Sequence, residues 1–172
     1  MPSAHTGQKC SDAFQTKRTN PLLEPIVKTI DVPCSPQKAF EIFVDMASWW
    51  PLDKRSMSLM HAKAPAKHLT VEPKLGGRIV ETASDDVEHH WGTFTKYAPP
   101  GHLQMDFHMG LPATQSGQVD ITFTAISDTV TRVELVHSNW EGYGDMAEMM
   151  IKGYGGSWAM LFGQAFAPAC SA

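Results

Sequence analysis

The stretch VELVHSNWEGYGD, residues 133 to 145, sets His137, Ser138, Asn139, Trp140 and Glu141 side by side at the end of an apolar run. A serine beside a histidine raises nucleophilic catalysis, which needs the hydroxyl and the ring within hydrogen-bond reach of each other. Side chains alternate between faces along a strand, so His137 follows Val133 and Leu135 inward while Ser138 points the other way. Without a bulge the pair cannot meet. His137 then reads as a buried histidine near the end of a sheet or as part of a pocket wall. Asn139, Glu141 and Tyr143 stand with it as the few polar groups that orient a ligand in an otherwise apolar pocket.

The other candidate chemistries are weaker. No HxH or HExxH spacing occurs among the eight histidines, and neighbours such as His89 and His90 on a strand point oppositely, so no metal site is expected. His61, His68, His102 and His108 read as solvated. Cys10, Cys34 and Cys170 are scattered and odd in number, which argues against a zinc site or a disulfide framework. KLGGR lacks a following helix and KGYGGSW lacks a Gly-Lys-Ser/Thr ending, so neither cradles phosphate. A strand start and a close helix–sheet approach account for them.

The aromatics carry more. Trp49, Trp50, Trp91, Phe107, Phe123, His137, Trp140, Tyr143, Met150, Tyr154 and Trp158 form the expected wall of an internal ligand cavity, with methionine as adaptable lining. Strict alternation sets Trp91 and Phe94 on opposite faces, so one of them should lie outside.

The elements that must position these residues follow from period and punctuation. IVKTIDV alternates as a first strand, and Ser35 and Pro36 then cap and open a helical region with Phe40, Phe43, Val44 and Ala47 on one face. From about residue 68 to 138 the period is two, broken by KLGG, SDD, PPG, GLPATQSG and SDTVT, which predicts six antiparallel strands. Residues 144 to 166 have helical length, with Met146, Met150, Ser157, Leu161 and Ala165 near one face. Four glycines between 153 and 163 cost about 1 kcal/mol each against alanine there, so packing must compensate or the helix bends. The fold class is α+β, a seven-stranded sheet wrapped round a long closing helix.

With 172 residues the chain fits one domain. Residues 1 to 22 read as a disordered leader and 23 to 168 as the domain. A net charge of −4 without charge runs disfavours nucleic acid and anionic membrane. The absence of an apolar signal or a span of eighteen apolar residues points to a cytoplasmic protein, monomer or homodimer. No cofactor is implied.

The segments IDVPCSPQKAFEIFVDMASWWP, GGRIVE, WGTFTKYAPPGHLQMDF, TRVELVHSNWE and KGYGGSWAML, in that order, resemble homologues of the activator of the Hsp90 ATPase. These belong to the START and birch-pollen-allergen-like (SRPBCC) superfamily, and the resemblance spans roughly residues 24 to 167. It implies a helix-grip fold with two short helices after the first strand and a cavity between sheet and helix. A chaperone contact enters by resemblance alone, since the family's eukaryotic co-chaperone uses a further N-terminal domain for which this sequence has no room. The leading expectation is a binder of an apolar or aromatic small molecule, without covalent chemistry of its own. The alternatives are a cyclase or hydratase using His137, Glu141 and Tyr143, and a co-chaperone-like interaction module.

Overall fold

A computed structural model describes residues 23 to 172; the expected leader lies outside the described residues. Seven strands run β1 (Ile26–Val32), β2 (His68–Val71), β3 (Arg78–Thr82), β4 (Glu88–Ala98), β5 (His102–Phe107), β6 (Gly117–Ser127) and β7 (Val130–Ser138). They form one antiparallel sheet in the order β1-β7-β6-β5-β4-β3-β2. The meander from β2 to β7 is sequential, and β1 closes on β7 with Ile26 opposite His137.

Two short helices follow β1, as expected. In α1 (Pro36–Val44) the Ser35 hydroxyl accepts from the Lys38 N–H at 3.3 Å, and Ala39, Phe40, Phe43 and Val44 are buried. Next comes α2 (Met46–Trp49). A third, α3 (Met57–Ala62), was too short for its period to show in the sequence; Ser56 caps it through the Leu59 N–H at 3.1 Å.

The closing helix is compound: a 3₁₀ turn (Trp140–Met146), α4 (Ala147–Met160), a π-helical segment (Leu161–Phe166) and a final turn α5 (Ala167–Ala169). Of the expected face Leu161 is buried, together with Ala147, Trp158, Phe162 and Phe166, whereas Met146, Met150, Ser157 and Ala165 are only half-buried. An i→i+5 turn advances the phase of the helix and brings Phe162 and Phe166 under it. Burial of a large apolar side chain stabilises by about 1.5–3 kcal/mol, so these residues outweigh the four glycines. A close approach to the sheet does not require those glycines: a Cβ at Gly153, Gly155, Gly156 or Gly163 would meet nothing within 4 Å.

Alternation holds in β6 and β7, where Val119, Ile121, Phe123, Val133, Leu135 and His137 are all buried. It fails in β4. Val80 pairs with His90 and Ile79 with Gly92, so Trp91 is an extra residue in a β-bulge. The bulge shifts the alternation, and both Trp91 and Phe94 lie inside, correcting the expectation that one lies out. Cys34 and Cys170, 136 positions apart, are both buried and side by side, where burial and the Cys34 thiol push the Cys170 thiol up to about 12. Among the described residues no helix is long and apolar enough to cross a membrane.

Candidate functional site

At the core end of β7 the His137 ring is fully buried and has both nitrogens engaged. The Trp158 indole N–H donates to Nδ1 at 3.0 Å, and the Tyr143 hydroxyl lies 3.3 Å from Nε2. An indole nitrogen is a donor only, so Nδ1 must be the unprotonated nitrogen and Nε2 must carry the hydrogen. The bonds then run one way: Trp158 to His137, His137 to the phenol oxygen, and the phenol O–H to the Phe107 carbonyl. Trp140 and Tyr154 cover the imidazole with ring centroids at 4.1 and 4.6 Å.

Burial of this ring without an acidic partner pushes its pKa down to about 3, and burial pushes Tyr143 up to about 12 and Tyr154 well above the usual phenol value. His137 is therefore neutral. Its folded pKa lies below the unfolded value of 6.5, so the unfolded chain takes up more protons in acid. The stabilisation is complete above about pH 6.5 and is lost as pH falls toward 3, at up to about 1.4 kcal/mol per pH unit. His108, also lowered by burial, acts in the same direction. Urea unfolding at pH 7 and pH 5 should show a loss of at least about 2 kcal/mol. Ring resonances of His137 that titrate near pH 6 would overturn the neutral assignment.

Gly117 belongs to this site, and sequence reasoning missed it; its only signal was a turn glycine at the start of β6. A Cβ there would stand 2.6 Å from His137 Nε2 and 2.7 Å from Tyr143 Cε2. Gly117→Ala should cost about 1–3 kcal/mol by overpacking, seen as a lower urea midpoint with unchanged m-value.

The remaining members of the expected wall form one continuous packing of rings. Trp50 meets Trp49, Trp91 and Trp158 at 5.6, 5.0 and 6.0 Å, and Phe107 meets Trp158 at 5.8 Å. Phe123 joins through Phe43 at 6.0 Å. Met150 is half-buried against Trp140 and Tyr143. Asn139 and Glu141, expected beside His137, face solvent instead, because Asn139 takes a left-handed backbone (φ 60°) that turns the chain away.

Two further buried polar groups escaped the sequence reading. Glu81 on β3 is fully buried and accepts from the Met57 and Ser58 N–H groups at 2.7 Å each, from the Ser58 hydroxyl, and from the Trp91 indole at 2.9 Å. The open N–H groups at the start of α3 thus find their acceptor on the sheet. His108, expected in solvent, is buried with its ring 4.8 Å from that of His90. Left-handed Met109 (φ 46°) and Gly110 (φ 85°) fold the chain over it.

Open space occurs elsewhere, between α1 and the β2 side of the sheet, with no residue of the closing helix in its lining. A cleft of about 590 Å³ opens to solvent there, within the range of small-molecule sites. Phe40, Val44, Leu69, Val71 and Tyr97 give it apolar walls, and Gln37, Glu41, Asp45 and Thr70 stand among its polar groups. Phe40 lies 5.4 Å from both Tyr97 and Phe123, so the cleft touches the outer end of the ring packing.

A curved antiparallel sheet closed over a long C-terminal helix, with its aromatic interior between them, defines a helix-grip protein of the SRPBCC type. Within that class the model of the Activator of Hsp90 ATPase homolog 1-like protein family matches residues 33–163, and the chain belongs to this family. Among solved structures, the anthrahydroquino-γ-pyrone synthase Txn09, complexed with SUM, is similar at 26% identity over 85% of this chain and 96% of that one, with a TM-score of 0.59. The self-sacrificing resistance protein CalC from Micromonospora echinospora is 22% identical over 87% and 95%, with a TM-score of 0.65. The Aha1 dimer from Colwellia psychrerythraea is 15% identical over 80% and 90%, with a TM-score of 0.56. No curated protein matches the sequence.

Proposed function

We propose that the protein binds a small apolar or aromatic molecule in the cleft between α1 and the edge of the sheet, rather than between the sheet and the closing helix. The observation that carries this reading is the cleft of about 590 Å³, walled by Phe40, Val44, Leu69, Val71 and Tyr97. The wall expected from the sequence is packed ring against ring and lines no part of this cleft, which meets it only through the contact of Phe40 with Phe123. Txn09, a synthase complexed with SUM, supports a ring-bearing ligand. Binding is favoured over proton transfer because both His137 nitrogens are already committed within the protein, and a general acid or base must reach the substrate. It is favoured over a chaperone-docking surface because the exposed large apolar residues Val27, Met60, Leu75, Val87, Ile126 and Met149 are spread over different strands, helices and turns.

Native mass spectrometry of freshly purified protein should detect a copurifying small molecule, and neutral dansylamide should bind with enhanced emission. Val71→Arg, which sets a charged side chain into the cleft wall, should weaken dansylamide at least tenfold while leaving the urea midpoint unchanged. Equal binding by the variant would move the ligand away from the cleft.

A further inference from the structure

The polar rim of the cleft has one sign. Glu41 and Asp45 line it, and among the described residues no basic side chain does. Both lie on the cleft side of the α1–α2 corner, one turn apart. Gln37 Nε2 donates to Glu41 Oε1 across one turn of α1 and holds that carboxylate in place. Asp45 sits at the N-cap position of α2, where an aspartate ordinarily accepts a helix N–H, yet its side chain makes no capping bond. Asp45 is instead one of the residues that line the cleft. Phe40 and Tyr97 line the same cleft, and aromatic rings attract cations.

We infer that the ligand of this cleft carries a positively charged nitrogen: an apolar or aromatic body seated on Phe40, Leu69, Val71 and Tyr97, with an ammonium group held by Glu41 and Asp45. The inference rests on the cleft being the binding site, and adds the charge of the ligand to that reading. Carboxylates and aromatic faces together are the means by which proteins recognise alkylammonium ions, and the same arrangement repels a carboxylate-bearing ligand. Tyr97 reports the local field, since burial and the Glu41 charge both raise its phenol pKa. Exposed charge pairs are weak singly, about threefold in affinity each, and two acting together multiply to about tenfold.

Three probes sharing one fluorophore test this: dansylcadaverine with an ammonium, neutral dansylamide, and dansylglycine with a carboxylate, titrated at pH 7.4 and low salt. Dansylcadaverine should bind about tenfold more tightly than dansylamide, and dansylglycine more weakly than either. The preference should vanish in Glu41→Gln/Asp45→Asn and persist in Asp128→Asn/Glu148→Gln, which removes two exposed charges outside the cleft and so controls for net charge. If dansylamide binds and dansylcadaverine binds no better, the charge preference is overturned while the cleft remains a ligand site. If no probe responds to Val71→Arg, the cleft itself is not the site and both readings fall.

Discussion

Glu81→Ala is expected to cost the fold about 3–5 kcal/mol, the largest effect of any single substitution considered. The carboxylate joins three elements: it sits on β3, accepts two backbone N–H groups and a hydroxyl from the start of α3, and accepts the indole N–H of the bulged Trp91 on β4. An alanine leaves all four donors without an acceptor in a dry site, at about 1–3 kcal/mol for each that water cannot reach. Part of this is returned, because a buried charge no longer has to be desolvated. Glu81→Gln keeps the shape but turns an amide NH₂ toward donors, and should lose about half as much. Urea unfolding gives the totals, and hydrogen exchange at the Met57 and Ser58 amides shows where the loss falls. A loss below 1 kcal/mol for the alanine variant would mean that α3 docks without this carboxylate.

The second large effect is at His137. Alanine there removes a ring in contact with Trp140 and Tyr154 and strips the Trp158 N–H of its acceptor, while the Tyr143 hydroxyl loses one donor but keeps its bond to the Phe107 carbonyl. A cavity left by the ring and one orphaned donor give about 3–4 kcal/mol. Phenylalanine refills the volume without restoring the bonds, and should recover about half. The order wild type, phenylalanine, alanine in urea midpoint separates packing from hydrogen bonding. In both variants the binding of dansylamide should change less than the stability. The opposite pattern, an intact fold with binding abolished, would move the ligand from the cleft to the His137 ring packing.

How far the sequence foresaw this depends on what controls each residue. Period-two patterning set out all seven strands, and counting from Val133 and Leu135 put His137 inside, because the β6–β7 ladder is regular from Gln118 to Ala125. The same counting misplaced the Trp91–Phe94 relation, since a bulge is a decision of backbone pairing that side-chain types do not encode. Left-handed turns at Met109 and Asn139 misled it similarly, burying His108 and exposing Glu141. Glu81 had a faint signal, an acid two residues from Ile79 and so on the inward face of RIVET. Its partners at the start of α3 lie more than twenty positions away, and no local pattern names them. The cleft was invisible because it arises where α1 passes the edge of the sheet, a matter of tertiary placement.

All five tryptophans are buried, and four of them touch in sequence: Trp49 on Trp50, and Trp50 on both Trp91 and Trp158. Indoles this close couple their transition dipoles, so their ultraviolet circular dichroism should show a split band that independent chromophores lack. Excitation also passes from ring to ring before it is emitted, which makes the colour and polarisation of the light a property of the whole array. Anything that parts α2 from the sheet, or draws the closing helix away from it, breaks the array at Trp50. The protein thus carries a built-in optical gauge of its own grip, readable without a label.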